Sequence, residues 1–284
     1  MSDTIAVIFD FDDTIAPDST TMLLEEYGID PDQFWRTDLE SMVKRGYDPT
    51  LGFLELPLNN VGDGKPFGVL SNEDLGKFGK KLDKRIYPGF ARLLSDLKKE
   101  AAKHEAVSIE FYIISGGLQA VIEGTTIASK YFKAVYGCLF DDTGDPTMIR
   151  RIKRAISFTE KTKYLFEINK GVTPQDVVAN PHAVNRDVPR DRRRVPFSNM
   201  IYVGDGLTDI PCFSLLKQYG GTPFGVFDPK SPAKAKRAFV EFLKTGRVVT
   251  MNEPRYGRGT ALGELLRAAV TTIISRILVD RRVA

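Results

Sequence analysis

Sulfur and imidazole are scarce in this chain. Only two cysteines, Cys138 and Cys212, and two histidines, His104 and His182, occur among its 284 residues. A zinc site built from clustered Cys and His has no spacing to rest on. The cysteines are far apart and each stands among apolar residues, so they read as buried thiols in a reducing compartment rather than as a disulfide framework. Long apolar runs are missing too. Nothing reaches the about 18 residues that span a bilayer. The stretch from Ala261 to Val279 is broken by Glu264, Arg267 and Arg276, and reads as an amphipathic helix packed on the body. The opening MSDTIAVIFDFDDT lacks the basic region, apolar core and cleavage site of a secretory signal. Nor is there an excess of one charge: 40 Lys and Arg face 37 acids, a net charge of +3. That balance argues against a nucleic-acid or membrane-surface partner. The one dense basic cluster, Arg190, Arg192, Arg193 and Arg194, is diluted by Asp187 and Asp191 and reads as a solvated loop. A soluble cytoplasmic protein is expected.

What is present is an alternation of strands and helices. Ile5 to Phe9 is a short run of branched and aromatic residues, the signature of a strand buried on both faces. Asp10 stands at its end. From Asp18 to about Leu82 the periodicity turns helical. Asp30 and Pro31 make an N-cap and first-turn proline. Ser71 and Asp74 form a capping-box pattern. Gly62 to Gly68 reads as loop. Phe90, Leu93, Leu94 and Leu97 share one face of a helix that follows Pro88. Val107 to Ile114 reads as a second strand that ends at Ser115, Gly116 and Gly117, with a helix through Ala128. Phe132 to Phe140 reads as a strand and Asp141 to Pro146 as a turn. Helix 159–169 ends at Gly171, and strand 200–203 ends at Gly204, Asp205 and Gly206. Helix 208–219, strand 223–227 and helix 231–245 complete the order.

This alternation predicts an α/β protein with a Rossmann-like parallel sheet covered by helices on both faces. The helical stretch after the first strand interrupts it, so a mainly helical cap over residues 18–85 is expected, inserted into a core formed by 1–17 and 86–284. The polar segment 179–196, with three prolines, is an excursion without an assigned role.

In an open parallel sheet, ligands sit beyond the carboxyl ends of the strands. Those ends carry Asp10 and Asp12, then Ser115, then Asp205 and Asp209. A carboxylate can attack a phosphoryl group only if that group's charge is screened. Mg²⁺ suits the task and prefers carboxylates, waters and phosphate oxygens, which Asp10 and Asp205 can help supply. Asp12, two residues after Asp10, fits the acid and base. Ser115 can donate to a phosphate oxygen, aided by free amides such as that of Gly116. A lysine is needed to balance the transferred group. Lys161 fits; Lys163 and Lys153 lie in range as well. Asp13 reads as a surface turn acid, and Asp141, Asp142 and Asp145 as a turn without the glutamate that closes a calcium loop.

Taken together, FDFDDT at 9–14, IISGG at 113–117, a lysine before a helix and GDGLTD at 204–209 resemble the four motifs of the haloacid dehalogenase superfamily. The helical insert is similar in position to the cap of its phosphoserine-phosphatase-like branch, termed C1. The resemblance implies that Asp10 is the nucleophile and Asp12 the acid/base, with its main-chain carbonyl on Mg²⁺. It implies Thr14 as support of the first loop, Ser115 as the phosphate-binding hydroxyl and Lys161 as the third-motif lysine. Asp205 is implied as metal ligand and Asp209 as the acid that holds the lysine. Carboxylate at position 12 favours phosphate-ester hydrolysis over dehalogenation or the ATPase chemistry of the same superfamily. The expected activity is hydrolysis of a small phosphorylated metabolite. The alternatives are a phosphotransferase of the same fold and a non-catalytic phospho-ligand binding protein.

Overall fold

The computed structural model describes residues 3–283. Strand β1 (Asp3–Phe9) is followed by α1 (Ser19–Glu26), α2 (Glu40–Lys44), α3 (Pro49–Asn59) and α4 (Asn72–Lys81). Then come α5 (Phe90–Ala101), β2 (Val107–Leu118), α6 (Gln119–Glu123), α7 (Thr126–Tyr131), β3 (Phe132–Asp141) and β4 (Arg151–Arg154). The chain continues through α8 (Glu160–Lys170), α9 (Pro174–Ala179), β5 (Met200–Gly204), α10 (Ile210–Gln218), β6 (Thr222–Val226), α11 (Pro232–Ala238), β7 (Met251–Asn252) and α12 (Ala261–Val283). One seven-stranded sheet has the order β4-β3-β2-β1-β5-β6-β7, parallel except for β4. This is the expected Rossmann-like architecture.

Why β1 lies at the centre follows from its composition. Ile5 to Phe9 are all fully buried, with β2 on one side and β5 on the other. Registered neighbours in a sheet point to the same face. Phe9, opposite Val203, packs edge-to-face on Phe90 of α5 and on Tyr256. Ile8 is opposite Tyr202, whose ring meets Phe213 of α10. So α5 and α10 cover opposite faces. Helix α12 joins α5, burying Leu262, Leu266, Val270, Ile273, Ile274 and Ile277 as its spacing predicted. No helix among the described residues is long and apolar enough to cross a membrane. Both cysteines are free and buried.

Some boundaries differ from the sequence reading. Strand β2 does not stop at Ile114 but continues through Ser115–Gly117 to Leu118, with a register irregularity between Ile114 and Leu118. The following helix is two, because Thr125 caps α7 by accepting from the Ala128 amide. Strands β4 and β7 escape the pattern: one is charged and the other two residues long. The excursion 179–196 holds short 3-10 turns at 183–185 and 190–192, tied down where Lys170 donates to the carbonyls of Val184 and Arg186 at 2.8 Å. One member of the arginine cluster is not simply solvated. Arg194 pairs with Glu110 on β2, alongside Lys133 and the Tyr112 hydroxyl.

The 18–85 stretch is helical as expected, with Asp18 capping α1, Asp48 capping α3 and a Ser71–Asp74 capping box on α4. Helix α4 lies against α6 at glycines. A Cβ on Gly79 would overlap the Val121 carbonyl oxygen and stand 2.9 Å from its carbon; one on Gly124 would overlap Gly76.

Two predictions follow from this packing. Gly79→Ala forces α4 away from α6 and should cost about 2–3 kcal/mol in thermal or urea unfolding. An unchanged midpoint would mean the helices do not meet as described. Burial alone would raise the Glu110 carboxyl, but the hydrogen bonds from Arg194, Lys133 and Tyr112 outweigh it and hold it at about 2. A depressed folded-state value contributes stability above the ordinary range that is lost as pH falls toward 2. Glu110→Gln should therefore be less stable than the parent at pH 6, and the gap should close between pH 4.5 and 2.

Candidate active site

The carboxyl ends of β1, β2 and β5 meet at one edge of the sheet. The Asp10 amide donates to the Val203 carbonyl at 2.9 Å, which ties the end of β1 to β5. Asp10, Asp12, Ser115, Gly116 and Asp205 line one cleft of about 300 Å³. Asp10, Asp205 and Asp209 each offer a carboxylate oxygen within 4.8 Å of the others. Side chains separated by some two hundred positions thus converge as the sequence reading required.

Beneath the cleft lies a buried charge network. Lys161, at 1 % exposure, donates from Nζ to Asp10 Oδ2 and to Asp209 Oδ1, each at 2.7 Å. Of the three candidate lysines, Lys161 is the one paired with Asp10; Lys163 faces Glu167 at 3.9 Å, and Lys153 faces Asp141. Tyr202 donates its hydroxyl to the same Asp209 Oδ1 at 2.7 Å, and the Gly206 amide donates to Oδ2 at 2.9 Å. Asp209 thus accepts three hydrogen bonds from within the protein, two on Oδ1 and one on Oδ2. Only glycine fits at position 204, where a Cβ would lie 2.5 Å from the Asp209 carboxyl carbon. Thr14 stands behind the cleft, fully buried, its carbonyl accepting from the Tyr256 hydroxyl at 2.6 Å. Ser115 Oγ accepts from the Gly117 amide at 3.0 Å.

Burial sets the proton affinities. It pushes Asp10 up to about 6, against the opposing charge of Lys161. It pushes Asp12 up to about 8, with the charge of Asp18 adding and the hydrogen bond from Ser19 opposing. Burial also pushes Asp205 well above the carboxylate range, and the charges of Asp10, Asp209 and Asp13 push the same way. For Lys161, burial acts downward but Asp10 and Asp209 outweigh it and hold the ammonium above its ordinary value. Asp205 forms no ion pair among the described residues. The hard oxygens of Asp10 and Asp205, with more negative charge than Lys161 can balance, are a donor set that fits a small dication such as Mg²⁺.

Several site residues escaped the sequence reading. Asp13 is not a surface acid: it lines the cleft, sits at φ 53° and pairs with Lys234. Asp18 lines the cleft as well as capping α1, a role its position before a helical pattern could have hidden. Thr208 and Phe158 contribute walls as well; Trp35 and Phe53, which with Phe34, Tyr47 and Phe67 read from the sequence as filling the insert's core or facing the site, also line the cleft. Among the aromatic residues of the helical insert, Phe34 and Phe67 are buried and Tyr47 is exposed. The acids Asp141 and Asp145 direct their oxygens to Thr143, Thr147 and Arg150, a turn as expected.

A family model for haloacid dehalogenase-like hydrolases matches residues 7–214, a span that includes every one of these strand-end residues. The chain belongs to that family. It is 31 % identical over 283 residues to an uncharacterized protein of Borreliella burgdorferi, covering 91 % of this chain and 93 % of the other. Its fold is similar to that of a haloacid dehalogenase family hydrolase of Salmonella enterica serovar Typhi. There the TM-score is 0.55 at 16 % identity, over 89 % of this chain and 68 % of that one. It is also similar to a phosphoserine phosphatase solved as a phospho-aspartyl intermediate analogue, with a TM-score of 0.54 at 13 % identity, over 94 % and 99 % of the two chains. As a member of the haloacid dehalogenase-like hydrolases, the protein has the phosphoserine-phosphatase-like form of the fold.

The buried network makes a stability prediction independent of activity. Lys161→Met leaves Asp10 and Asp209 without their counter-charge and should cost about 3–5 kcal/mol. Tyr202→Phe removes one hydrogen bond to a charged acceptor and should cost about 1.5–3 kcal/mol. Chemical denaturation measures both; a Lys161→Met variant as stable as the parent would contradict the network.

Proposed function

We propose that this hydrolase is a magnesium-dependent phosphatase that cleaves a small phosphorylated metabolite through an aspartyl phosphate on Asp10. The observation that carries the reading is the convergence of Asp10, Asp12, Ser115 and Asp205 in one cleft above a lysine already paired with Asp10. The phosphoserine phosphatase of like fold, solved as a phospho-aspartyl analogue, supports the same chemistry.

In this reading Asp10, ionised near neutrality, attacks phosphorus through one carboxylate oxygen while the ester P–O bond breaks. Asp12, whose value of about 8 keeps it protonated at pH 7, gives its proton to the departing alkoxide. Now a carboxylate, Asp12 takes a proton from water as the water oxygen attacks phosphorus. The bond from phosphorus to Asp10 breaks, and inorganic phosphate leaves. Ser115 Oγ and the Gly116 amide hold phosphate oxygens, and Lys161 balances their charge. Asp209 and Tyr202 keep Lys161 in place, and Thr14 supports the loop after β1. Mg²⁺, held by Asp10, Asp205 and the Asp12 carbonyl, supplies the screening that lets a carboxylate approach a phosphoryl group. Residues 18–85 act as a cap over the core of 1–17 and 86–284, excluding bulk water during phosphoryl transfer. Two buried free thiols accord with a reducing, cytoplasmic setting.

Asp10→Asn should abolish p-nitrophenyl phosphate hydrolysis, by about 10³-fold or more, with the circular dichroism spectrum unchanged. EDTA should remove the activity of the parent and Mg²⁺ restore it. Activity that survives in Asp10→Asn would refute the nucleophile; activity that survives EDTA would refute the metal.

A further inference from the structure

The cleft above Asp10 has walls of two kinds. One is apolar and aromatic. Trp35 and Phe53 stack at 5.7 Å with an interplanar angle of 23°, and the Trp35 indole N–H donates to Thr21 Oγ1 at 3.0 Å, which holds the ring in place. Phe158, 42 % exposed, also lines the cleft. The other kind is acidic. Beyond the three carboxylates assigned to the reaction, Asp13 and Asp18 also face the cleft.

The charge balance is one-sided. Among the described residues, no lysine, arginine or histidine lines the cleft. Lys161 lies beneath it with Asp10 and Asp209 as partners. Lys234 and Arg85 line a neighbouring groove, where Lys234 is engaged by Asp13. Asp18 has no ion-pair partner among the described residues, although it is largely enclosed. Asp18 and Trp35 border both the cleft and the groove, so a carboxylate and an aromatic ring flank the same opening.

We infer that the alcohol released from the phosphate ester carries an ammonium group and no carboxylate, with the cation seated between Asp18 and the Trp35 ring. The inference rests on the phosphatase reading above and names the substrate class of that site. A leaving group bearing a carboxylate enters a cleft lined by five acids and, among the described residues, by no lysine, arginine or histidine. The cations Lys234 and Arg85 stand in the neighbouring groove, and leaving a carboxylate without a partner is penalised. A neutral ring could pack on Trp35 and Phe53 but leaves Asp18 without a counter-charge. An ammonium group satisfies both walls, by Coulomb attraction to Asp18 and by cation–π attraction to the indole.

O-phosphoethanolamine and O-phospho-L-serine differ by one carboxylate and form the test pair, assayed with Mg²⁺ beside p-nitrophenyl phosphate. The expected result is a kcat/KM at least tenfold higher for phosphoethanolamine. Asp18→Asn keeps a side chain that caps α1 as well as aspartate does, and should bring that ratio close to one. Equal or faster turnover of phosphoserine overturns the inference, as does a ratio that Asp18→Asn leaves unmoved. Turnover of p-nitrophenyl phosphate with neither amino-alcohol ester accepted also overturns it while the phosphatase reading stands. No turnover of any of the three esters overturns the phosphatase reading itself.

Discussion

A single buried ammonium organises this molecule's working edge. Lys161 comes from α8, Asp10 from the end of β1 and Asp209 from the turn before α10, and all three are buried. A charge so placed is tolerable only when its partners are positioned to match, because the desolvation cost of each ion is several kcal/mol. The matching is redundant. Tyr202 and the Gly206 amide hold Asp209, and the Phe11 amide donates to Asp10 Oδ1 at 2.7 Å. Displacement of any one of the three elements would leave a buried charge exposed to an apolar interior. The network thus locks β1, α8 and the β5–α10 turn into mutual register, and the cleft inherits its shape from that lock.

Much of this was legible in the sequence because the strands are buried on both faces. A run such as Ile5–Phe9 admits few alternatives, and its end marks where Asp10 must stand. The same logic located Ser115 and Asp205. Lys161 was harder, since a lysine on a helix is ordinarily solvated. Its burial depends on two acids distant in sequence, Asp10 and Asp209, whose approach no local pattern announces. The last helix of 18–85 was legible from the Ser71–Asp74 box, whose capping is local chemistry, whereas the caps at Asp18 and Asp48 were not read.

What was not legible depends on contacts that no local pattern encodes. Strand β4 reads as charged, and it forms because β3 offers an antiparallel edge. β2 runs past Ile114 because an irregularity lets Leu118 still pair with Cys138. Asp13 looked like a turn acid; Lys234, 221 residues away, gives it a partner, and it borders both the cleft and the neighbouring groove. Arg194 looked solvated until β2 supplied Glu110. In each case the deciding partner lies on another element, which pairwise tertiary geometry selects and one-dimensional periodicity does not.

In the proposed mechanism reactivity and selectivity fall on different parts of the fold. The residues assigned there to phosphoryl charge stand at strand ends or on helices packed against the sheet, where displacement is resisted by the core. The walls Trp35, Leu39, Pro49 and Phe53 stand on the helical insert, which meets the core through α4 at the Gly79–Gly124 contact. On the phosphatase reading, a substitution among those walls should change which alcohol fits without disturbing Lys161 or Asp209. A substitution in the network does the reverse. The cleft's acidity comes from both parts of the chain: Asp12 and Asp205 serve the reaction in the proposed mechanism, while Asp18 lines the cleft from the start of the helical insert. Because Asp18 also caps α1, its carboxylate cannot swing out to water without uncovering the Thr21 amide. A side chain held in place by its own helix is a stable point from which to read the charge of a ligand.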